Sequence, residues 1–360
     1  MVSSEAKKFI TNHPGTLVVY GTESLRGWWN QLKPTWQQVL SKAAGLRSQR
    51  LSKEQMARIA NITSIDISGI GSIVSLEPIR VLKNLKQLNI EATGISDLRP
   101  IRGLLELEYL EASNTGVSEL YSLEQLPKLK LLGLDNSKVQ PQEITRFIAN
   151  HPECLVMYKT VQLLRWWGAM PNEWRSILKD QLDHSNMSDK QRLHAYINLE
   201  KLIFRKPVST LEPLKEFIKL RELGFTGTSV SSLEPLRYKT TLEVIRCSQS
   251  PIEDLTPLSN LKRLRKLNFE DTLVEDLEPL EDLNGLSELR FSGTKVKDLK
   301  SLSSMASLRV LECYNTDVKN LKPIEKLRGL KSLKCYNTKI KKSTVESFKK
   351  QVPQCEVVHY

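Results

Sequence analysis

The sequence predicts an α/β solenoid: two arrays of short parallel strands, each backed by tight turns and closed by small helices. Three observations carry this reading. Apolar residues, mostly leucine, recur every 22 positions through most of the 360-residue chain, most regularly at Leu267, Leu289, Leu311 and Leu333. Around each of them the pattern Leu-x-Leu has the period of two of a short strand, so that the intervening residues face the other way. A unit of this length, such as LRKLNFEDTLVEDLEPLEDLNG, cannot bury its own apolar face and must share a core with stacked neighbours.

Carried backwards, the register reaches Ile245, Leu223 and Leu202, and a separate earlier series runs Ile65, Leu88, Leu110 and Leu132. Two arrays are therefore expected. One further step of 22 reaches Cys154 and Cys355, where the apolar stretches CLVMY and CEVVHY read as final rungs, giving five rungs and then eight. Stacked strands of this kind form a parallel sheet at about 4.8 Å per rung. After the strand comes a small hydroxyl residue: Thr93, Thr115, Ser137, Thr228, Ser250, Thr272, Thr294, Thr316 and Thr338. Turned inward, it is expected to hydrogen-bond the backbone of the neighbouring turn. Next comes a segment such as Asp254-Leu255-x-Pro257-Leu258, where proline fixes φ and suits a convex 3₁₀ turn rather than a long helix.

The pattern Leu-x-x-Leu-x-Leu-x-x-Thr-x-Val-x-Asp-Leu-x-Pro-Leu resembles the 22-residue class of leucine-rich repeats, as in bacterial internalins and phosphatase-regulating repeat proteins. It covers residues 62–158 and 199–360. The resemblance implies the leucine-rich-repeat fold, and a concave face or a terminal edge of it is the expected binding surface. It also implies, as one alternative, a regulatory subunit of an enzyme such as a phosphatase.

A second, longer repeat lies before and between the arrays. FITNHPGTLVVYGTESLRGWWNQLKPTWQQVL from Phe9 matches FIANHPECLVMYKTVQLLRWWGAMPNEWRSIL from Phe147, and all six tryptophans fall inside it: Trp28, Trp29, Trp36, Trp166, Trp167 and Trp174. A partial third copy, Phe348, Pro353 and Cys355, ends the chain. The ends of a solenoid expose core leucines and an unpaired sheet edge. The Phe-helix and strand are read as the closing cap of one array and the Trp helices as the opening cap of the next; a tryptophan box for sugar or peptide is the other reading. The predicted organisation is a closing-cap-like element at 1–20, a Trp-bearing helical cap at 21–61, the first array at 62–158, a second Trp cap at 159–198 and the second array at 199–360. If Phe9 to Tyr20 closes an array, that array is missing and the chain is a fragment of a longer protein. An ancestral duplication that left an ordinary N-terminal cap is the competing expectation.

No apolar run is long enough to span a bilayer and no secretory signal pattern occurs, so no membrane insertion and a cytoplasmic location are expected. Cys154, Cys247, Cys313, Cys335 and Cys355 sit at apolar strand positions, where a thiol acts as a small hydrophobe. An odd number without metal spacing argues against a disulfide framework or a zinc site. No phosphate loop, nucleophile elbow or metal-binding His motif appears. The recurring Asp of Asp-Leu-x-Pro-Leu reflects structural repetition, so neither an enzyme nor a cofactor is expected.

Net charge is +12, and residues 286–360 hold 16 Lys and Arg against 7 Asp and Glu. Lys297, Lys319 and Lys341 form one column on the loop after each strand. The concave face of the first array reads as polar and acidic: Asp66, Asn89, Glu91, Tyr109, Glu111 and Asp135. That of the second is mixed and includes the repeated Cys-Tyr-Asn-Thr, which sets Tyr314 and Tyr336 side by side, with Glu312 and Lys334 one column over and Arg290 on the preceding rung. Rigid tyrosines flanked by charge have the composition of interface hot spots. The expected function is a non-enzymatic protein–protein interaction scaffold whose partner-binding residues are Tyr314, Tyr336, Glu312, Lys334, Arg290, Lys297, Lys319 and Lys341. The alternative is polyanion or nucleic-acid binding through the basic C-terminal end.

Overall fold

The computed structural model describes residue 12 and residues 22–47, 51–183 and 185–360. Apart from residue 12, the element expected at 1–20, with Phe9 to Tyr20, lies outside the described residues. The chain divides into two compact units, residues 1–162 and 163–360.

In the first unit, helices α1 (Thr22–Gln31), α2 (Pro34–Ala43) and α3 (Lys53–Ala60) precede five strands. These are β1 (Ser64–Asp66), β2 (Gln87–Asn89), β3 (Tyr109–Glu111), β4 (Leu131–Gly133) and β5 (Leu155–Met157). They form one parallel sheet in chain order, with helix α4 (Pro141–Asn150) between β4 and β5. Helix α5 (Thr160–Ala169) spans the unit boundary. The second unit continues with α6 (Asn172–Lys179) and α7 (Asp189–Ile197) and then eight strands. These are β6 (Lys201–Phe204), β7 (Glu222–Phe225), β8 (Val244–Arg246), β9 (Lys266–Asn268), β10 (Glu288–Arg290), β11 (Val310–Glu312), β12 (Ser332–Lys334) and, after α8 (Lys342–Gln351), β13 (Glu356–Val358). They too form a parallel sheet in chain order. Both units are open α/β solenoids of the predicted kind, with 3₁₀ turns on the side away from the open sheet face.

The core follows from the repeat. In one rung Leu264, Leu267, Phe269, Val274, Leu277, Leu280 and Leu283 are all buried, each contributing roughly 1.5–3 kcal/mol. Strand leucines pair directly across rungs, Leu267 with Leu289, Leu289 with Leu311 and Leu311 with Leu333. Asp254, Asp276 and Asp298 open the following 3₁₀ turns, each Oδ1 accepting from the backbone N–H two residues on at 2.7–2.9 Å. The repeated aspartate is thus a turn device.

The closing rungs depart from the expected step. Leu132 lies opposite Val156, not Cys154, and Leu333 opposite Val357, not Cys355. A full helix, α4 or α8, replaces the 3₁₀ turn in these rungs, and its extra turn takes up two more residues. The hydroxyls also act differently from expectation. Thr272, Thr294, Thr316 and Thr338 donate 2.6–2.8 Å bonds to the carbonyl three residues earlier in their own rung. Only Thr228 and Ser250 meet across rungs, at 2.9 Å between their oxygens. The residue before the hydroxyl is left-handed in both kinds of rung, as in Asn315 (φ 54), Gly293 (φ 70) and Gly227 (φ 68), and curls the chain back on itself.

The tryptophans pack as caps. Trp29, Trp36 and Trp174 are buried, and Trp28, Trp166 and Trp167 lie partly buried against the adjoining core. Trp28 Nε1 donates to Pro78 O and Trp166 Nε1 to Pro213 O, both at 3.1 Å, so the two copies tie the first 3₁₀ turn of their arrays in the same way. At the other ends Phe147 of α4 and Phe348 of α8 are buried in the core.

One rung breaks the pattern. Lys239 stands where its neighbours carry Phe217, Leu261, Leu283, Met305 and Leu327, all buried. Its ammonium turns back to donate to Lys215 O at 2.6 Å and Phe217 O at 2.7 Å. Burial pushes it down to about 8, with Glu216 acting in the opposite direction. A base whose folded value lies below its ordinary 10.5 penalises the fold in full below about 8, and the penalty fades as pH rises towards 10.5. The natural chain is therefore predicted to gain stability relative to Lys239→Met between those limits. Denaturant unfolding of both proteins across that range checks this; a constant difference would show that the ammonium is not desolvated.

Candidate functional site

The open face of each sheet carries the residues that alternate with the buried leucines. In the second array the first strand positions place Lys266 beside Glu288, and the third positions place Arg290, Glu312 and Lys334 in succession. These charges form a continuous chain. Lys266 Nζ lies 3.3 Å from Glu288 Oε2, Arg290 Nη1 3.4 Å from Glu312 Oε1 and Lys334 Nζ 3.1 Å from the same oxygen. Arg290 Nε is 2.8 Å from Glu288 Oε1 but off the hydrogen-bonding line. Glu312, at the centre, is only 5% exposed. A carboxylate at that depth persists because two cations flank it.

Two residues further along each rung lies the aromatic column. The Tyr314 and Tyr336 rings stack at 4.5 Å between centroids with planes 8° apart, a spacing set by the rungs themselves. A third ring, Tyr360, continues the stack at 5.0 Å and 18° and is 85% exposed. At the inner end Tyr314 Oη donates to Glu270 Oε1 at 3.2 Å, reaching across the intervening rung. Burial, and then the Glu270 charge, push the Tyr314 hydroxyl up to about 12.

Arg290, Glu312, Lys334, Tyr314 and Tyr336 are thus brought together. The lysine column is not part of this cluster. Lys297 pairs with Glu275 of the preceding rung at 3.9 Å, Lys319 is exposed, and Lys341 is the exposed N-cap of α8. Tyr360 escaped the sequence reading because the assumed 22-residue step set Val358, rather than Tyr360, after Tyr336. The two-residue extension of the closing rung is the signal that recovers it.

A shallow depression of about 270 Å³ lies along the same face, lined by Arg246, Lys266, Asn268, Glu288 and Arg290. It is open and its charges are already paired, Arg246 with Glu222 and Lys266 with Glu288. It offers a contact surface rather than an enclosed reaction chamber. Among the described residues, no group of His, Cys, Asp or Glu could hold a metal ion and no helix is long and apolar enough to cross a membrane. The five cysteines are buried, and burial pushes the Cys247 thiol up to about 12.

Parallel sheets built from 22-residue rungs, with 3₁₀ turns opposite an open strand face, define a leucine-rich-repeat solenoid. Among solved structures the chain is similar to an internalin, inlF, of Listeria monocytogenes at 20% identity, covering 92% of this chain and 90% of that one, with a TM-score of 0.44. It is also similar to the leucine-rich-repeat protein LIC12759 of Leptospira interrogans, at 19% identity over 89% of this chain and 97% of that one, with a TM-score of 0.34. No family model matches the chain, and a search of curated proteins returns no match.

Tyr314 should ionise well above the ordinary tyrosine range. Absorbance titration of the folded chain is expected to show one step near 12 that Tyr314→Phe removes. Its disappearance into the ordinary transition near 10 would mean that the ring is not held against Glu270.

Proposed function

We propose that the chain is a non-enzymatic scaffold that binds a protein partner through the open face of its second array, at the C-terminal end. The observation that carries this reading is the Tyr314–Tyr336–Tyr360 stack. Its rings are held by each other and by Glu270, so little side-chain freedom remains to be lost on binding. Large aromatics beside partly exposed Arg290 and Lys334 have the composition of hot spots. The partner suited to it offers an apolar anchor for the rings and an acidic rim.

A second reading has one observation in its favour. Lys322, Lys326, Lys341, Lys342, Lys349 and Lys350 are exposed with no carboxylate at ion-pair distance among the described residues, whereas the open face nearby is charge-balanced. These lysines suit a polyanion. Binding there should weaken steeply with salt, by roughly one counterion released per phosphate contacted, while a tyrosine-centred interface should respond much less.

Affinity capture from native lysate with the natural chain and with Tyr314→Ala/Tyr336→Ala tests the first reading. A partner held by the natural chain is expected to lose on the order of 2 kcal/mol or more of binding to the double variant. Undiminished affinity with an unaltered fold would move the site off this face.

A further inference from the structure

The open face of the first array is built on a different plan. Its first strand column sets Tyr109, Leu131 and Leu155 directly opposite one another on β3, β4 and β5. Tyr109 is 38% exposed and the two leucines are half-buried, which makes an apolar strip across three rungs. The second array has no counterpart: the same column there reads Lys266, Glu288, Val310, Ser332 and Glu356.

Beside the strip the charge is one-sided. Asp66 and Glu111 occupy the next column, with the Glu111 carboxylate lying over Gly133, where a side chain would collide with it. Glu91 and Asp135 stand one column further. Each accepts from at least one neutral donor. Asp66 accepts from Ser68 N at 2.9 Å, Glu91 from Asn114 Nδ2 at 3.1 Å, Glu111 from Ser113 N at 3.1 Å and Asp135 from Thr160 Oγ1 at 2.6 Å. Asp66 and Glu91 have no Lys or Arg at ion-pair distance among the described residues. Lys159, just after β5, lies over the Tyr158 ring. The opposite margin differs, because Lys86 and Lys130 are both engaged by Glu108, at 4.0 and 2.7 Å.

We propose that this face docks a cationic amphipathic helical segment of a protein partner. Successive anchors on one helix face rise by about 4.5–6 Å, which matches the roughly 4.8 Å between rungs, so a helix laid across the strands seats one apolar side chain on each of Tyr109, Leu131 and Leu155. Its lysines or arginines then border the side carrying Asp66, Glu91, Glu111 and Asp135. The other side, where Lys86 and Lys130 outnumber the one carboxylate of Glu108, takes neutral residues. This site is independent of the tyrosine stack and does not rest on it.

The test uses the full chain and three labelled synthetic peptides: a Leu/Lys amphipathic helix former, a scramble of the same composition, and a version with Glu in place of Lys. Fluorescence anisotropy is expected to show the first binding at least about tenfold more tightly than either control, a difference of about 1.4 kcal/mol. Leu131→Ser/Leu155→Ser and, separately, Asp66→Lys/Glu91→Lys should each weaken it by about tenfold or more, with circular dichroism confirming the fold. Tyr314→Ala/Tyr336→Ala should leave it unchanged. Equal binding of the scrambled peptide, retained affinity in either first-array pair, or loss in the tyrosine pair would overturn the proposal.

Discussion

The structure depends on parallel pairing between consecutive rungs. A three-residue strand has no stability of its own, and its backbone groups are satisfied only when the next rung supplies partners in register. Because the side-chain period is two, that register also decides which residues enter the core and which face outward. Leucine every 22 residues keeps the core continuous. The same step lines the outward residues into columns, so a surface chemistry repeated on two rungs becomes a ladder. The Tyr314–Tyr336 stack and the Lys266–Glu288–Arg290–Glu312–Lys334 chain are consequences of rung spacing more than of any special loop.

Most of the fold was legible because the core pattern is redundant: a lost leucine in one rung is outvoted by its neighbours in the column. Five and eight strands follow from counting such positions. What was not legible lies where the repeat is interrupted. The closing rungs contain a helix that lengthens them by two residues, and no periodicity announces that length. Val357 therefore replaced Cys355 opposite Leu333, and Tyr360 went unseen as the third ring. The inward hydroxyl was legible, but its partner was not, since nothing in the repeat distinguishes Thr294, which bonds Phe291 O, from Thr228, which meets Ser250 of the next rung. Lys239 in a leucine column could be seen in the alignment of rungs, but its function as a donor to two carbonyls could not.

The two arrays share one architecture and differ in what they display. In the second, acids and bases alternate across the open face beside the tyrosine stack. In the first, an apolar strip runs beside carboxylates served by neutral donors. Identical scaffolding with opposite surface chemistry suits recognition of two dissimilar surfaces, because the outward columns vary without cost to the core.

The register of the closing rung is the measurement that tests the account most directly, since both the tyrosine stack and the meaning of its neighbours depend on it. Nuclear Overhauser contacts among tyrosine ring protons, assigned by single Tyr→Phe changes, would read it in solution. The account predicts contacts from Tyr336 to both Tyr314 and Tyr360. Contacts from Tyr336 to Val358 in place of Tyr360 would restore the uninterrupted 22-residue step and contradict it.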